Sequence, residues 1–316
     1  SIILLVGKFI AYLLTGSAAI FTDAMESIVN VAAGGISLYC IRLASRPRDD
    51  SHPFGHGKIE MISASMEGIL IIMAGAIIIY HGFERLFTPS PLSHLDIGIY
   101  ITAAAGIANY FLGMLSIKTG RKHRSEALVA GGKHLQSDTY STIGLVAGLI
   151  LVKITGITII DSLMALIFGG LIIFTGISIL RKTIATLTDK ADPEKLMRTA
   201  SILNKYRRDD WIDIHNLKIL EYGSYYFIEC DLTLPWYYTV AQGHRACESL
   251  EEIVKRESGE KITFSVHADS CNESHCRHCL ISDCKYRRND FVAEEPIDLQ
   301  QIVESDEEHS SDEKNM

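Results

Sequence analysis

Residues 18–41 read AAIFTDAMESIVNVAAGGISLYCI, and this stretch decides the fold. It exceeds the roughly 20 apolar residues that span a bilayer, yet it carries Glu26 and Asn30 within it. Four residues apart on a helix, the two side chains share one face, one turn apart. The stretch from Leu128 to Val152 repeats the device with His134 and Asp138. A charge at the bilayer centre costs roughly 2.5–3.5 kcal/mol on insertion scales, so such residues face a cavity and mark an ion path. Carboxylate oxygen, amide oxygen and imidazole nitrogen together suit a divalent metal. The two pairs imply movement of metal across a membrane.

Outward from this stretch, further apolar runs lie at Ile2–Leu14, Ile59–Phe83, Ile97–Ile117 and Ile159–Leu180. Six spans are therefore expected, within a transmembrane domain over residues 1–188. The overall 47% hydrophobic and 22% charged content averages two unlike halves, since residues 190–316 hold most of the acid behind a net charge of −8. The first run begins at residue 1, so part of the natural N-terminus is expected to be missing. A signal peptide is the poorer reading, because Ile2–Leu14 lacks a basic flank and a small-residue cleavage site. Arg42, Arg46, Arg48 and Lys58 follow the second span, and Lys118, Arg121, Lys122, Arg124 and Lys133 follow the fourth. Arg181 and Lys182 follow the sixth, whereas the opposite loops hold little beyond Arg85 and Lys153. The positive-inside rule places the basic loops and the whole C-terminal half in the cytoplasm. Lipid headgroups or nucleic acid are weaker explanations of these clusters beside apolar spans.

After Asp192-Pro193 the pattern becomes that of a small soluble domain over residues 189–270. Glu194–Tyr206 and Val240–Arg256 read as helices, and Ile212–Glu221, Tyr225–Leu234 and Lys261–His267 as strands, with a turn at Tyr222-Gly223-Ser224. This αββαβ order fits a ferredoxin-like α+β domain, with helices on one face of an antiparallel sheet. At about 80 residues its core is modest, so a partner subunit or metal is expected to steady it. His215, Asp231, His244, His267 and Asp269 recur at its strand ends. Singly each reads as a surface or hydrogen-bonded polar residue, and spacing alone does not bring the five together. His267-x-Asp269 is the better pair, because residues two apart share a strand face.

Residues 271–316 form a Cys/His-rich segment and an acidic tail. Cys271-x4-Cys276-x2-Cys279-x4-Cys284, with His275 and His278 interleaved, would suit tetrahedral zinc. A thiol redox role, a labile metal-acquisition tail and an iron–sulfur cluster use the same residues and stay open. Disulfides are rare in the cytosol, which argues against pairing. Cys40, Cys230 and Cys247 are isolated and read as packing residues. Glu294–Met316 is rich in acid and serine and reads as a disordered, solvated tail.

The loop after the second span is denser in candidate ligands: Asp49-Asp50-Ser51-His52-Pro53-Phe54-Gly55-His56-Gly57-Lys58-Ile59-Glu60. Asp49, His52 and His56 could surround one ion, with Pro53, Gly55 and Gly57 supplying the turns. The alternative is that the histidines only cap and hydrogen-bond a tight loop. This loop closely resembles the signature loop of the cation diffusion facilitator family. Thr15-Gly16-Ser17, Asp23-Ala24 and His134-x-x-x-Asp138 resemble that family's first, second and fifth spans, and the likeness covers about residues 1–270.

The resemblance implies a homodimeric exporter in a bacterial inner (plasma) membrane, with the C-terminal domain cytoplasmic. It would exchange a divalent metal, zinc or a neighbour, for protons, without enzymatic chemistry or nucleic acid. It assigns Glu26, Asn30, His134 and Asp138 to a four-ligand transport site, and Asp49, His52 and His56 to a loop zinc site. His215, Asp231, His244, His267 and Asp269 align with a binuclear cytoplasmic site at the dimer interface. Lys58 and Asp189 match an interlocking salt bridge of bacterial zinc members. Two positions depart from the family's pattern. The second span commonly offers Asp or His followed four later by Asp, so Glu26 and Asn30 leave this site less negative. Asp231 stands where His is frequent, which makes the cytoplasmic site harder.

The mechanism implied couples metal to protons at His134, because an imidazole's ordinary pKa of about 6.5 lets the two compete for one nitrogen. Asp138→Ala is expected to abolish flux, and Asp231→Ala to alter regulation more than transport. Lys8 and Asp23 read as buried partners or snorkelling charges. Glu67, Asn109 and Asp161 read as packing and hydrogen-bonding residues, and Gly34-Gly35 and Gly169-Gly170 as sites of close helix approach. A membrane-anchored metal sensor would not need the intramembrane pairs. A membrane metalloenzyme would use the same ligands to activate water, but no second catalytic motif accompanies them.

Overall fold

A computed structural model of the chain describes residues 2–88, 92–123, 126–222, 225–259, 261–294, 297 and 299–303. The chain divides into two units, Ser1–Arg42 with Ile62–Ile184, and Leu43–Met61 with Ala185–Met316. The signature loop thus belongs with the C-terminal unit, which the sequence pattern alone did not indicate.

The first unit is built from six helices: α1 Ile2–Thr15, α2 Ala18–Ala44, α3 Ile59–Phe87, α4 Leu95–His123, α5 Glu126–Thr155 and α6 Ile159–Leu187. Five are long and apolar enough to cross a membrane, while α1 is shorter. Gly16 and Gly156, both at positive φ, close α1 and α5 with N–H bonds to Tyr12 and Val152 carbonyls. This is the left-handed C-cap that glycine adopts without a Cβ penalty. Asp161, at the start of α6, caps α2 instead of its own helix. It accepts from Ser17 Oγ at 2.5 Å and from the Ala18 and Ala19 N–H groups at 2.6 and 3.3 Å. A carboxylate there satisfies orphan amides and complements the positive end of the helix dipole. Lys8 of α1 donates to Asp23 of α2 at 2.7 Å, and both are buried, so they are partners rather than snorkelling charges.

Close helix approach uses glycines in pairs. A Cβ at Gly68 or Gly75 of α3 would lie 3.2 or 3.1 Å from the Gly176 or Gly169 carbonyl of α6. A Cβ at Gly113 of α4 would lie 2.7 Å from the Gly132 carbonyl of α5. Of the four glycines singled out in the sequence, only Gly169 does this; Cβ atoms at Gly34, Gly35 and Gly170 would meet nothing within 4 Å in the described chain. Large apolar residues such as Ile3, Leu13 and Phe174 are exposed at 86%, 73% and 72%. Such a surface suits lipid rather than water.

In the second unit, α7 (Pro193–Lys205) starts at an N-cap, Asp192, whose side chain accepts from Glu194 N at 2.9 Å. Strands β1 (Asp213–Tyr222), β2 (Tyr225–Leu234) and β3 (Ile262–Ser270) form one sheet in that order, with α8 (Val240–Ser258) between β2 and β3. β1 and β2 pair antiparallel, but β2 and β3 pair parallel. The sheet is therefore mixed, not antiparallel as expected, because the α8 crossover returns the chain in the same direction. Gly223 and Ser224 of the expected turn lie outside the described residues, as does Arg124.

Trp211, Leu203, Ile214, Leu232 and Leu250 form the core under the helices, joined by Ile297 and Ile302. Ile302 belongs to a short helix, α9 (Leu299–Val303), and is fully buried. Within the stretch expected to be a solvated tail from Glu294, Ile297 and Ile302 are instead part of the core; residues 295, 296, 298 and 304–316 lie outside the described residues. The loop joins this unit through Arg48, which donates to Thr263 Oγ1 at 3.2 Å, and through Phe54, which packs on Tyr222 and Phe227.

Candidate functional site

The two intramembrane pairs meet. Glu26 and Asn30 of α2, with His134 and Asp138 of α5, line one cavity of about 200 Å³. Helical spacing puts each pair on one face, and the helix bundle turns the two faces toward each other. Asn30 bridges them: its Nδ2 donates to Asp138 Oδ2 at 3.0 Å, and its Oδ1 lies 3.4 Å from His134 Nε2. His134 Nδ1 lies 3.9 Å from Asp138 Oδ1. Asp138 is buried, while the His134 side chain is 53% exposed. Asp23, with its Lys8 partner, lines the same cavity one turn before Glu26, a neighbour that spacing alone did not distinguish from a snorkelling charge.

A second group forms in the loop. Asp49 Oδ1 lies 3.0 Å from His52 Nδ1, and Asp49 Oδ2 lies 3.5 Å from His56 Nε2. The imidazoles of His52 and His56 lie 4.2 Å apart. One ligand atom from each of the three falls within 4.8 Å of the others. The loop is preorganised by its backbone: Ser51 and His52 N–H groups donate to Asp49 Oδ1 at 3.0 and 2.7 Å. Gly55, at φ +90, makes the turn before His56. The hydrogen bond from His52 holds the Asp49 carboxyl below the usual carboxylate range. His56 is buried and its Nδ1 has no hydrogen-bond partner among the described residues.

The third group lies on the sheet. His215 pairs across from Asp231, and Asp231 from His267, so three adjacent strands present ligands at one level. His215, Asp231 and Asp269 come within 4.8 Å of one another. His267 joins through Asp269, at 3.3 Å, but is itself 70% exposed. His244 stands apart from them within the single chain, 3.4 Å from Glu248 on α8. Two supporting residues were not recognised in the sequence. Asp213 Oδ2 lies 2.9 Å from His215 Nδ1, the partner arrangement that orients a metal-binding imidazole. Asn216, at φ 54 in the bulge between His215 and Lys218, donates to Asp231 Oδ2 at 2.7 Å. The Asp213-x-His215 spacing was a readable signal, since it repeats His267-x-Asp269; the bulge was not.

Lys58 donates to both Asp189 oxygens, at 2.9 and 3.2 Å, and sits over the Tyr222 ring at 4.6 Å. The Asp189 hydrogen bond holds the Lys58 ammonium above its ordinary range. Asp189 adopts a positive φ of 57, with its N–H bonded to the Thr186 carbonyl just past α6. Cys271, Cys276, Cys279 and Cys284 line one cavity of about 190 Å³, and all seven cysteines are free thiols. Cys40 and Cys230 are buried packing residues.

Comparison with known proteins finds similarity along most of the chain. Residues 1–188 match the cation efflux transmembrane domain, and residues 191–271 match the cytoplasmic domain of cation efflux proteins, a dimerisation domain. An uncharacterized transporter of Synechocystis is 35% identical over 258 residues, 81% of this chain and 83% of its own. The cation-efflux pump FieF of Citrobacter koseri is 28% identical over 285 residues, 85% of this chain and 89% of its own. The manganese efflux system protein MneP of Bacillus subtilis is 25% identical over 276 residues, 85% of this chain and 92% of its own. The apolar helices and the cytoplasmic α+β domain thus match those of efflux transporters rather than enzymes, and this chain belongs to the cation diffusion facilitator family of divalent-metal efflux transporters.

Proposed function

We propose that the exported ion is a divalent transition metal, zinc foremost, that it crosses through the cavity of Glu26, Asn30, His134 and Asp138, and that protons move the other way. The observation that carries this reading is the Asn30 bridge between Asp138 and His134. It holds a carboxylate and an imidazole from α5 against an amide from α2, within one cavity that Glu26 also lines. A metal entering there displaces the Asn30–Asp138 hydrogen bond. A hydrogen bond to a charged acceptor contributes about 1.5–3 kcal/mol, which offsets part of the binding energy and favours release. His134 supplies the group at which proton and metal compete. Metal loads from the cytoplasm onto the deprotonated site, and protonation on the far side expels it.

The loop and sheet clusters support a separate role, in which metal held by Asp49, His52 and His56, and by His215, Asp231, His267 and Asp269, steadies a homodimer. His244 would join only across a dimer. The Lys58–Asp189 pair would lock the signature loop to the segment that follows α6.

A second reading concerns the metal alone. The transport set counts three oxygen donors to one nitrogen, which suits manganese or iron better than a nitrogen-rich set would. A relative at 25% identity is a manganese efflux protein. Parallel flux measurements in proteoliposomes with zinc, manganese and ferrous iron decide between them. Zinc moving fastest at equal concentration supports the first reading; manganese or iron outrunning zinc replaces it with the second.

A further inference from the structure

Where the matched cytoplasmic domain ends, at Cys271, lies a cavity that the transport mechanism does not use. Cys271 directly follows β3, its N–H donating to the Leu234 carbonyl at 2.9 Å, so the end of the strand holds it in a fixed place. Cys276 falls in the 3-10 turn Ser274–Arg277, and Cys279 and Cys284 follow around the same cavity. Two of the sulfurs have hydrogen-bond donors: Arg288 N–H points at Cys276 Sγ at 3.5 Å, and Tyr237 O–H at Cys284 Sγ at 3.9 Å. Donors aimed at sulfur are the outer shell that orients thiolates and tunes a bound metal. Trp236, Tyr237 and Tyr286 pack edge-to-face and tilted into an aromatic wall beside them, with ring centroids 4.9 to 6.0 Å apart.

The loop is held from behind by Arg287. Its guanidinium donates to the carbonyls of Cys276, Cys279 and Ile281 at 2.5, 2.9 and 2.8 Å, which fixes the turns on which the cysteines ride. The chain then folds back on itself. Val292 N–H donates to the Arg277 carbonyl at 2.8 Å, and Asn289 Nδ2 to the Glu273 carbonyl at 2.7 Å. Asn204 of α7 exchanges hydrogen bonds with the backbone of Ile297, and Ile302 enters the domain core. The cysteine loop thus leads into a C-terminal strap whose Ile297 and Ile302 join the core.

We infer that Cys271, Cys276, Cys279 and Cys284 bind one soft divalent metal ion of the zinc class as a closed tetrathiolate site, and that this ion pins the strap to the cytoplasmic domain. Four protein sulfurs fill a tetrahedral shell and leave no open position, which makes the ion structural rather than cargo. Binding exchanges one divalent ion for up to four thiol protons, and Arg287 and Arg288 lie beside the resulting negative charge. The sulfurs share the cavity without the 4.8 Å mutual spacing of the loop and sheet clusters, so binding draws them inward. Unlike the transport site, this one is not coupled to movement across the membrane, and it stands or falls separately from the efflux reading.

The test is cobalt substitution of the full-length protein purified in detergent. Cobalt in sulfur coordination gives a thiolate-to-metal charge-transfer band that carboxylate–imidazole sites cannot give. The expected result is that band in the wild type and in Asp231→Ala, and its loss in Cys276→Ser. Cys276→His, which keeps a metal ligand, should restore binding with a weakened band. Amide exchange at residues 297–303 should accelerate at least about 10-fold on chelation, as expected when a docked segment opens locally. A cobalt spectrum without sulfur charge transfer overturns the proposal. So does protein that purifies with iron and acid-labile sulfide at these cysteines, or strap exchange unchanged by chelation.

Discussion

Two cavities of nearly equal volume, about 200 and 190 Å³, are built on opposite principles. The one in the helices mixes three oxygen donors with one imidazole, and an amide already bridges two of its groups. The one beyond β3 gathers four thiols, and donors from Arg288 and Tyr237 point at two of the sulfurs. Mixed donors whose partners must be displaced suit an ion that has to leave. A uniform soft set with an orienting shell suits one that stays. The difference teaches that ligand count alone does not separate cargo from structure; what the ligands do without the ion separates them.

The comparison breaks most sharply under paired substitutions. Asp138→Ala removes the carboxylate that Asn30 and His134 face, and zinc flux in proteoliposomes should fall by more than about 100-fold, the upper end of what losing a mere supporting group costs. Cys276→Ser should leave that flux within about 3-fold in protein that still folds, because one lost helper rather than the carrier site is affected. Equal losses in both variants would erase the distinction. Asn30→Asp should act next. It adds a negative ligand and removes the amide donor, so zinc affinity measured by calorimetry should rise about 10-fold while turnover slows, since tighter binding is slower to release. A faster exporter with tighter binding would contradict the account.

Asp231→Ala should have a smaller effect on transport. It deletes the acceptor of Asn216 and one ligand of the sheet cluster, so it should raise the metal concentration needed for dimerisation, read by sedimentation, with maximal flux changed by less than about 3-fold. Lys58→Ala should have the smallest effect, at most about 1 kcal/mol for a partly exposed pair. Because Asp189 raises the Lys58 pKa, the contribution is complete below the ordinary lysine value of about 10.4 and is lost as pH rises through the raised one. Wild type and variant should therefore differ in thermal stability at neutral pH and converge in strong base. A difference that grows with rising pH would refute the pairing.

Much of this was legible in the sequence because it was written locally. Glu26 with Asn30, and His134 with Asp138, are pairs within single helices, and helical spacing alone puts each pair on one face. The loop ligands sit within eight residues of one another, from Asp49 to His56. What escaped was written between distant segments. Asp161 caps a helix that begins 143 residues earlier, and no local signal names that partner. Gly169 packs against α3 while its neighbour Gly170 does not, because facing is decided by the other helix. The parallel pairing of β2 with β3 follows from the α8 crossover, not from the strands' own alternation. Ile297 and Ile302 sit in an acidic, low-hydropathy stretch, yet two apolar side chains at the right distance suffice to dock it. Asn216 at positive φ creates the bulge that turns a second group toward Asp231, a conformation that no propensity announces.

The central claim is that metal leaves the α2–α5 cavity when a proton takes its place at His134. Zinc flux from proteoliposomes, followed while the receiving compartment is stepped from about pH 7.5 to about pH 6, across the ordinary histidine range, tests it most directly. The account predicts that flux accelerates as the receiving side is acidified, and that His134→Gln loses the acceleration. Flux in the wild type that ignores the receiving pH would contradict it.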